Sequence, residues 1–154
     1  MVTAITENDL RDTFAVRKIL ETMAIKLVCE KITIDSLEKL KAYVENHQQA
    51  IDKSIKYNSR STKKPAIDPT WSALFHSELY VSCGNSRLIR YIEELRDLQR
   101  LVYVSKKFTE DDYSLFYEQH RNLLDAIERN DQEDAVKAVE AHLDTMFHIY
   151  LQSL

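Results

Sequence analysis

A chain of 154 residues with a net charge of −4 suffices for one domain with a proper hydrophobic core, and its acidity argues against these residues gripping nucleic acid themselves, since phosphate binding calls for a basic face. Glycine occurs once and proline twice, against average usage near ~7% and ~5%, so the tight turns of β-hairpins have almost nothing to be built from. No signal peptide is visible and no apolar run approaches the ~20 residues that span a membrane, so a cytoplasmic protein without membrane partners is expected.

Thr6 with Asp9 makes a capping-box start for a first helix that should run to about Cys29. Val16, Leu20, Met23 and Leu27 are expected to face inward, with Leu10, Phe14 and Ala24 widening that face. Arg17 sits at its edge. A guanidinium there cannot shed its charge and needs an anion, either Glu21 one turn on or a ligand's carboxylate. Asp35 and Glu38 should start a second helix reaching about Ile55, with Leu37, Leu40, Tyr43, Val44 and Ile51 inward. His47, among Asn46, Gln48 and Gln49, reads as solvated. The basic stretch from Lys56 to Ile67 reads as a surface loop.

Asp68 and Pro69 supply an N-cap acceptor and a first-turn proline for a third helix. Gly84 should end it in a left-handed cap, and Asn85 should cap a fourth helix from Ser86 to about Lys107 through Leu88, Ile92, Leu95, Leu98 and Val102. Thr109 with Asp112 opens a fifth helix, and Asn130-Asp131 separates it from a sixth that runs from Gln132 almost to the end. Cys29 and Cys83 form no CxxC pair and read as small apolar core residues. The expected architecture is all-α, one domain over residues 1–154, folded as an antiparallel bundle of about six helices.

Three histidines stand on apolar stripes of three different helices. His76 lies with Ser72, Phe75, Leu79 and Cys83, His120 with Phe116, Leu123, Leu124 and Ile127, and His142 with Ala138, Val139 and Met146. A lone inward histidine is ordinarily a core residue bonded to a carbonyl or side chain. Three of them each need buried polar partners, and one metal ion satisfies all three. Neutral imidazole is the commonest zinc ligand and also suits nickel, copper and iron. HExxH is absent, and no carboxylate stands one turn from these histidines in an obvious base position. His148 should lie on another face, at the surface or an interface.

Several segments, in order, resemble one known family. They are Val16 to Ala24, with Arg17 followed by Glu21 and Ala24; Phe75-His76 with Ser82-Cys83-Gly84-Asn85; Glu118 to Ile127 around His120; and Asn130-Asp131, Ala135 and Ala141-His142-Leu143. Together they are similar to the effector-binding C-terminal domain, called FCD, of FadR-type regulators in the GntR family. The resemblance covers nearly the whole chain. It implies a homodimeric helical sensor for a small carboxylate effector, which many members hold through a divalent metal ligated by an Asp and three His. Carried onto this chain, the histidine ligands are His76, His120 and His142, with zinc or nickel the expected metal. Ser72 stands where the family has its Asp. Asp68 is no simple replacement, because it lies about 12 Å from His76 along a helix rising ~1.5 Å per residue. Arg17 and Ser72 are the expected effector-binding positions. Arg96 and Arg100 are further candidates on positions that ordinarily would be solvated surface, of which Arg96 is retained.

Regulators of this family bind DNA through an N-terminal winged-helix domain that these residues do not contain. The chain is therefore expected to be the sensor piece of a longer regulator, with DNA as a partner only through that other domain. Two rival readings stand beside this one. A three-histidine metal enzyme would need a general acid or base beside the metal. A metal-free dimerisation domain would show no saturable binding of small carboxylates.

Overall fold

The computed structural model describes residues 5–57, 67–103 and 108–154, apart from the side chains of 98–103. Residues 58–66 of the expected basic loop, the expected end of the fourth helix at Lys107, and the side chains of Leu98, Arg100 and Val102 therefore lie outside the described residues, while Lys56 and Tyr57, expected in that loop, are helical and Ile67 is buried. Among the described residues all regular structure is helical: α1 Glu7–Lys31, α2 Ile34–Tyr57, α3 Thr70–Val81, α4 Ser86–Tyr103, α5 Glu110–Glu128 and α6 Gln132–Leu151. None of these helices is long and apolar enough to cross a membrane.

Local chemistry sets the boundaries. Thr6 accepts from the Asp9 amide while the Asp9 carboxylate accepts from the Thr6 amide, and Thr109 with Asp112 repeats the arrangement at α5. Both are reciprocal capping boxes that satisfy otherwise orphaned amides. Asn85 accepts from the Leu88 amide at 3.1 Å and Asp131 from the Asp134 amide at 3.0 Å. Between α5 and α6, Asn130 takes φ 55°, and the amides of Asn130 and Asp131 reach back to the carbonyls of Ile127 and Ala126. That pair of bonds closes the helix end in a Schellman motif. The start of α2 differs from expectation. Thr33, not Asp35, caps it, accepting from the Ser36 amide at 3.1 Å. At α3 the Asp68 carboxylate accepts from the amide of Thr70.

The six helices form an antiparallel bundle. α1 packs on α6, α4 and α3, while α5 lies between α6 and α2, and α2 also covers α3. Ile25, Leu40, Leu79, Tyr80, Ile92, Leu123 and Leu143 are essentially sealed in the core, as is the free thiol Cys83, and the free thiol Cys29 is buried at its edge. Each fully buried large apolar side chain contributes about 1.5–3 kcal/mol relative to exposure, so this core and not helix propensity holds the bundle together.

The inward face of α1 is only partly the expected one. Val16 and Met23 are 47% and 52% exposed, whereas Leu10, Phe14, Arg17, Glu21, Ala24, Ile25 and Val28 are buried. Leu10, Phe14 and Ala24 are buried as expected and Leu20 and Leu27 pack partly against the core, but an arginine and a glutamate occupy two successive turns of the buried face, so the apolar pattern misplaces its centre. His47 is a second correction. It is 2% exposed and continues the buried stripe Leu40, Val44, Ile51 and Ser54 of α2.

Gly84 has φ +66°, and a Cβ placed there would meet only the Lys31 side chain, at 3.5 Å. The constraint is thus backbone conformation and not space. Gly84→Ala should cost roughly 1–2 kcal/mol, read as a lower urea midpoint with an unchanged m-value; an unaltered midpoint contradicts the need for glycine at this cap.

Candidate metal and ligand site

α3, α5 and α6 each bring one histidine to the centre of the bundle. His76, His120 and His142 are 8%, 2% and 4% exposed, and one ligand atom from each lies within 4.8 Å of the others. Their ring centroids are 4.7, 5.1 and 4.9 Å apart. The Nε2 atoms of His76 and His120 meet at 3.0 Å. Without a third body, one of that pair must donate and the other accept.

The surroundings fix these rings. His142 Nδ1 lies 2.9 Å from Gln119 Oε1, and the Gln119 amide donates to Thr145 Oγ1 at 2.7 Å. The carbonyl oxygen can only accept, so His142 carries its proton on Nδ1 and turns the Nε2 lone pair away from Gln119. His120 stacks on Phe75 with centroids 4.6 Å apart, and His76 stacks on Tyr80 at 6.0 Å. His76 Nδ1 is buried without a hydrogen-bond partner. On the far side His47 stands 6.0 Å from His120, edge-on to Tyr113 and Tyr117, and its Nδ1 is also buried without a partner.

Burial keeps all four imidazoles neutral. Loss of solvent is the largest cause in each case. It holds His76 and His120 well below the usual histidine range and takes His142 down to about 3, with help from Arg17 and Arg96 at His142. His47 is lowered by burial alone. Neutral imidazole is the metal-ligating form, and tetrahedral zinc at ~2.0–2.1 Å from each nitrogen needs the nitrogens about 3.3 Å apart. The donor set therefore fits a divalent metal.

Next to the histidines a cavity of about 460 Å³ is lined by Arg17, Ser72, His76, Arg96 and His142, with Phe108, Tyr113, Phe116, Met146 and Tyr150 among the rest of its wall. His120 is packed behind His76 and does not line it. Asp68, by contrast, is exposed and engaged with Thr70.

Arg17 Nε donates to Glu21 Oε1 at 2.7 Å, with both side chains nearly sealed from water. The Tyr80 hydroxyl donates to Glu21 Oε2, and burial with the Glu21 charge pushes the Tyr80 phenol well above its usual range. Breaking a buried pair of this kind costs about 3–5 kcal/mol because one charge is left uncompensated. Glu21 is therefore the structural partner that Arg17 needs, and the guanidinium is held rigidly at the cavity wall. Arg96 is not solvated surface. It is 14% exposed, lies over the Tyr80 ring with Cζ 5.7 Å from the centroid, and pairs with Glu93 at 3.1 Å. His148 is exposed, as expected, with Nδ1 2.6 Å from the Asp144 carbonyl.

Sequence reasoning missed His47, yet its signal was present. It falls three residues after Val44 and four before Ile51, both buried. Its polar neighbours concealed the stripe. It also missed Gln119 and Tyr80, which act through hydrogen bonds that apolar periodicity does not report.

The FCD domain family model matches residues 12–145. E. coli McbR/YncC superposes with a TM-score of 0.81 at 22% identity, covering 100% of this chain and 73% of that one. At that identity the likeness shows the fold. A GntR-family transcriptional regulator from Pseudomonas syringae pv. tomato str. DC3000 superposes with a TM-score of 0.65 at 25% identity, covering 99% of this chain and 60% of that one. No curated protein matches the sequence significantly.

The four buried histidines make a pH prediction. Each folded pKa lies below the ordinary value of 6.5, so in acid the unfolded chain takes up protons before the folded one does. Stability is complete above about pH 6.5 and is lost as pH falls toward the folded values, by at most about 1.4 kcal/mol per pH unit per histidine. Urea midpoints of metal-free protein should fall between pH 7.5 and 5.5; a flat profile contradicts neutral buried imidazoles.

Proposed function

The chain belongs to the FCD domain family, and from that premise we propose that it is the ligand-sensing domain of a GntR-type transcription regulator of the FadR subfamily. The ligand is a small organic acid bound in the central cavity beside a divalent metal held by His76, His120 and His142. One observation carries this reading: three neutral, buried imidazoles converge, and two of them, His76 and His142, line a 460 Å³ cavity that also presents Arg17 and Arg96. Such a set of nitrogens favours zinc or nickel over magnesium or calcium, which prefer oxygen. The metal would supply a positive centre for the acid's carboxylate.

The protein's own residues do the rest. Gln119 holds the His142 ring with its Nε2 lone pair turned from the Gln119 amide. Arg17, its charge paired by Glu21, holds guanidinium N–H groups at the cavity wall. Ser72 lines the cavity one turn before His76, at the family's Asp position. A neutral hydroxyl there leaves the site one negative charge short of the family's donor set, which strengthens its pull on an anion.

Control of DNA belongs to the full-length regulator. The acid must prefer one of two bundle packings, and only that difference in affinity moves the output. α1 is the natural lever, because it carries Arg17 and touches α3, α4 and α6. The exposed apolar residues Val16, Ile19 and Met23 on its outer side support a homodimer built against this helix.

Mass spectrometry of untagged protein purified without chelator should find about one zinc or nickel per chain. His120→Ala/His142→Ala should lose it while circular dichroism still reports a helical bundle. Protein that stays metal-free after zinc and nickel are added contradicts the metal reading and leaves a pocket read by Arg17 and histidine hydrogen bonds alone.

A further inference from the structure

The cavity wall is of two kinds, and their balance restricts the acid. The polar part is Arg17, Arg96, Ser72, His76 and His142. Both arginines already carry protein carboxylates, Arg17 on Glu21 at 2.7 Å and Arg96 on Glu93 at 3.1 Å. Within the described residues the histidine cluster includes no carboxylate, and Ser72 adds none. With a divalent metal held between the neutral imidazoles, the metal would be the one positive centre here without a protein carboxylate beside it.

Four aromatic rings make up most of the remaining wall, with Pro69, Thr70, Ala73 and Met146 between them. Phe108, Tyr113 and Phe116 form an edge-to-face set with centroids 5.4 to 6.4 Å apart, and Tyr150 joins it through Phe108 at 6.2 Å. Phe116 lies edge-on to His142 at 6.1 Å, so the rings begin where the histidines end. A second carboxylate would have to leave water and face these rings at a large desolvation cost. The several hydroxyls of a sugar acid would lose more water bonds than the few hydroxyls of this wall, on Ser72, Thr70, Tyr113 and Tyr150, could replace. A flat ring instead gains edge-to-face contacts at 4.5–7 Å.

We infer that this site takes an aromatic monocarboxylate, with its carboxylate at the His76–His142 end and its ring against Phe108, Tyr113 and Phe116. This rests on the acid-sensing reading above and narrows it. It excludes the dicarboxylates, hydroxy acids and sugar acids that a bare carboxylate-on-metal site accepts equally well.

The test is calorimetry on zinc-supplemented protein with five probes: acetate, 3-phenylpropionate, hexanoate, benzylmalonate and gluconate. Acetate reports the head alone. 3-Phenylpropionate should bind at least about tenfold more tightly than hexanoate, benzylmalonate or gluconate, a margin of the size that ring contacts supply. Phe108→Ala and, separately, Tyr113→Ala should each reduce 3-phenylpropionate affinity about tenfold and leave acetate affinity unchanged. Both side chains are half-buried, and thermal melts check that each variant is folded. If acetate binds but hexanoate, benzylmalonate or gluconate matches 3-phenylpropionate, the aromatic assignment is overturned while acid sensing survives. It is overturned equally if both ring variants bind 3-phenylpropionate as the parent does. If neither acetate nor 3-phenylpropionate binds, the acid-sensing reading itself is overturned.

Discussion

The centre of this bundle is governed by one constraint: imidazoles and a carboxylate are removed from water and must find compensation there. His76, His120 and His142 meet it by remaining uncharged. Glu21 meets it by contacts, held between the Arg17 guanidinium and the Tyr80 hydroxyl. The two solutions are adjacent. Arg17 lowers the pKa of His142 as a secondary cause, after burial, so the cation that satisfies Glu21 also keeps a histidine in its ligating form.

Those polar groups are positioned by elements whose stability comes from elsewhere. α3 presents His76 because Phe75, Leu79 and Tyr80 lock it into the core, and α5 presents His120 because Leu123, Leu124 and Ile127 do the same. The orphaned nitrogens of His76 and His47 are costs that a purely structural core would shed, since a buried unsatisfied polar atom forfeits about 1–3 kcal/mol. The His76 nitrogen lies on a ring that lines the cavity, where a polar atom left without a partner is more common than in a closed core.

Much of this was legible in the sequence. The capping boxes at Thr6 and Thr109, the glycine at position 84 and the Asn130-Asp131 junction mark helix ends through local bonds, and local bonds depend only on neighbouring residues. The three inward histidines were legible because each interrupts an apolar stripe. The inner face of α1 was legible only in part, at Leu10, Phe14 and Ala24, because its buried positions include Arg17 and Glu21, which satisfy each other across one turn and break the apolar pattern. His47 failed for the converse reason: its sequence neighbours are polar and its spatial neighbours are Tyr113, Tyr117 and His120 of another helix. Arg96 likewise gains its meaning from Tyr80, which no spacing along α4 reveals.

The most direct test of a three-imidazole metal centre that receives an acid is X-ray absorption at the metal edge of zinc-loaded protein, recorded before and after adding a carboxylate. The account predicts three imidazole nitrogens at about 2.0–2.1 Å, seen through their ring scattering, with an added or exchanged oxygen when the acid binds. A first shell without imidazole scattering, or one that the acid leaves untouched, would contradict it.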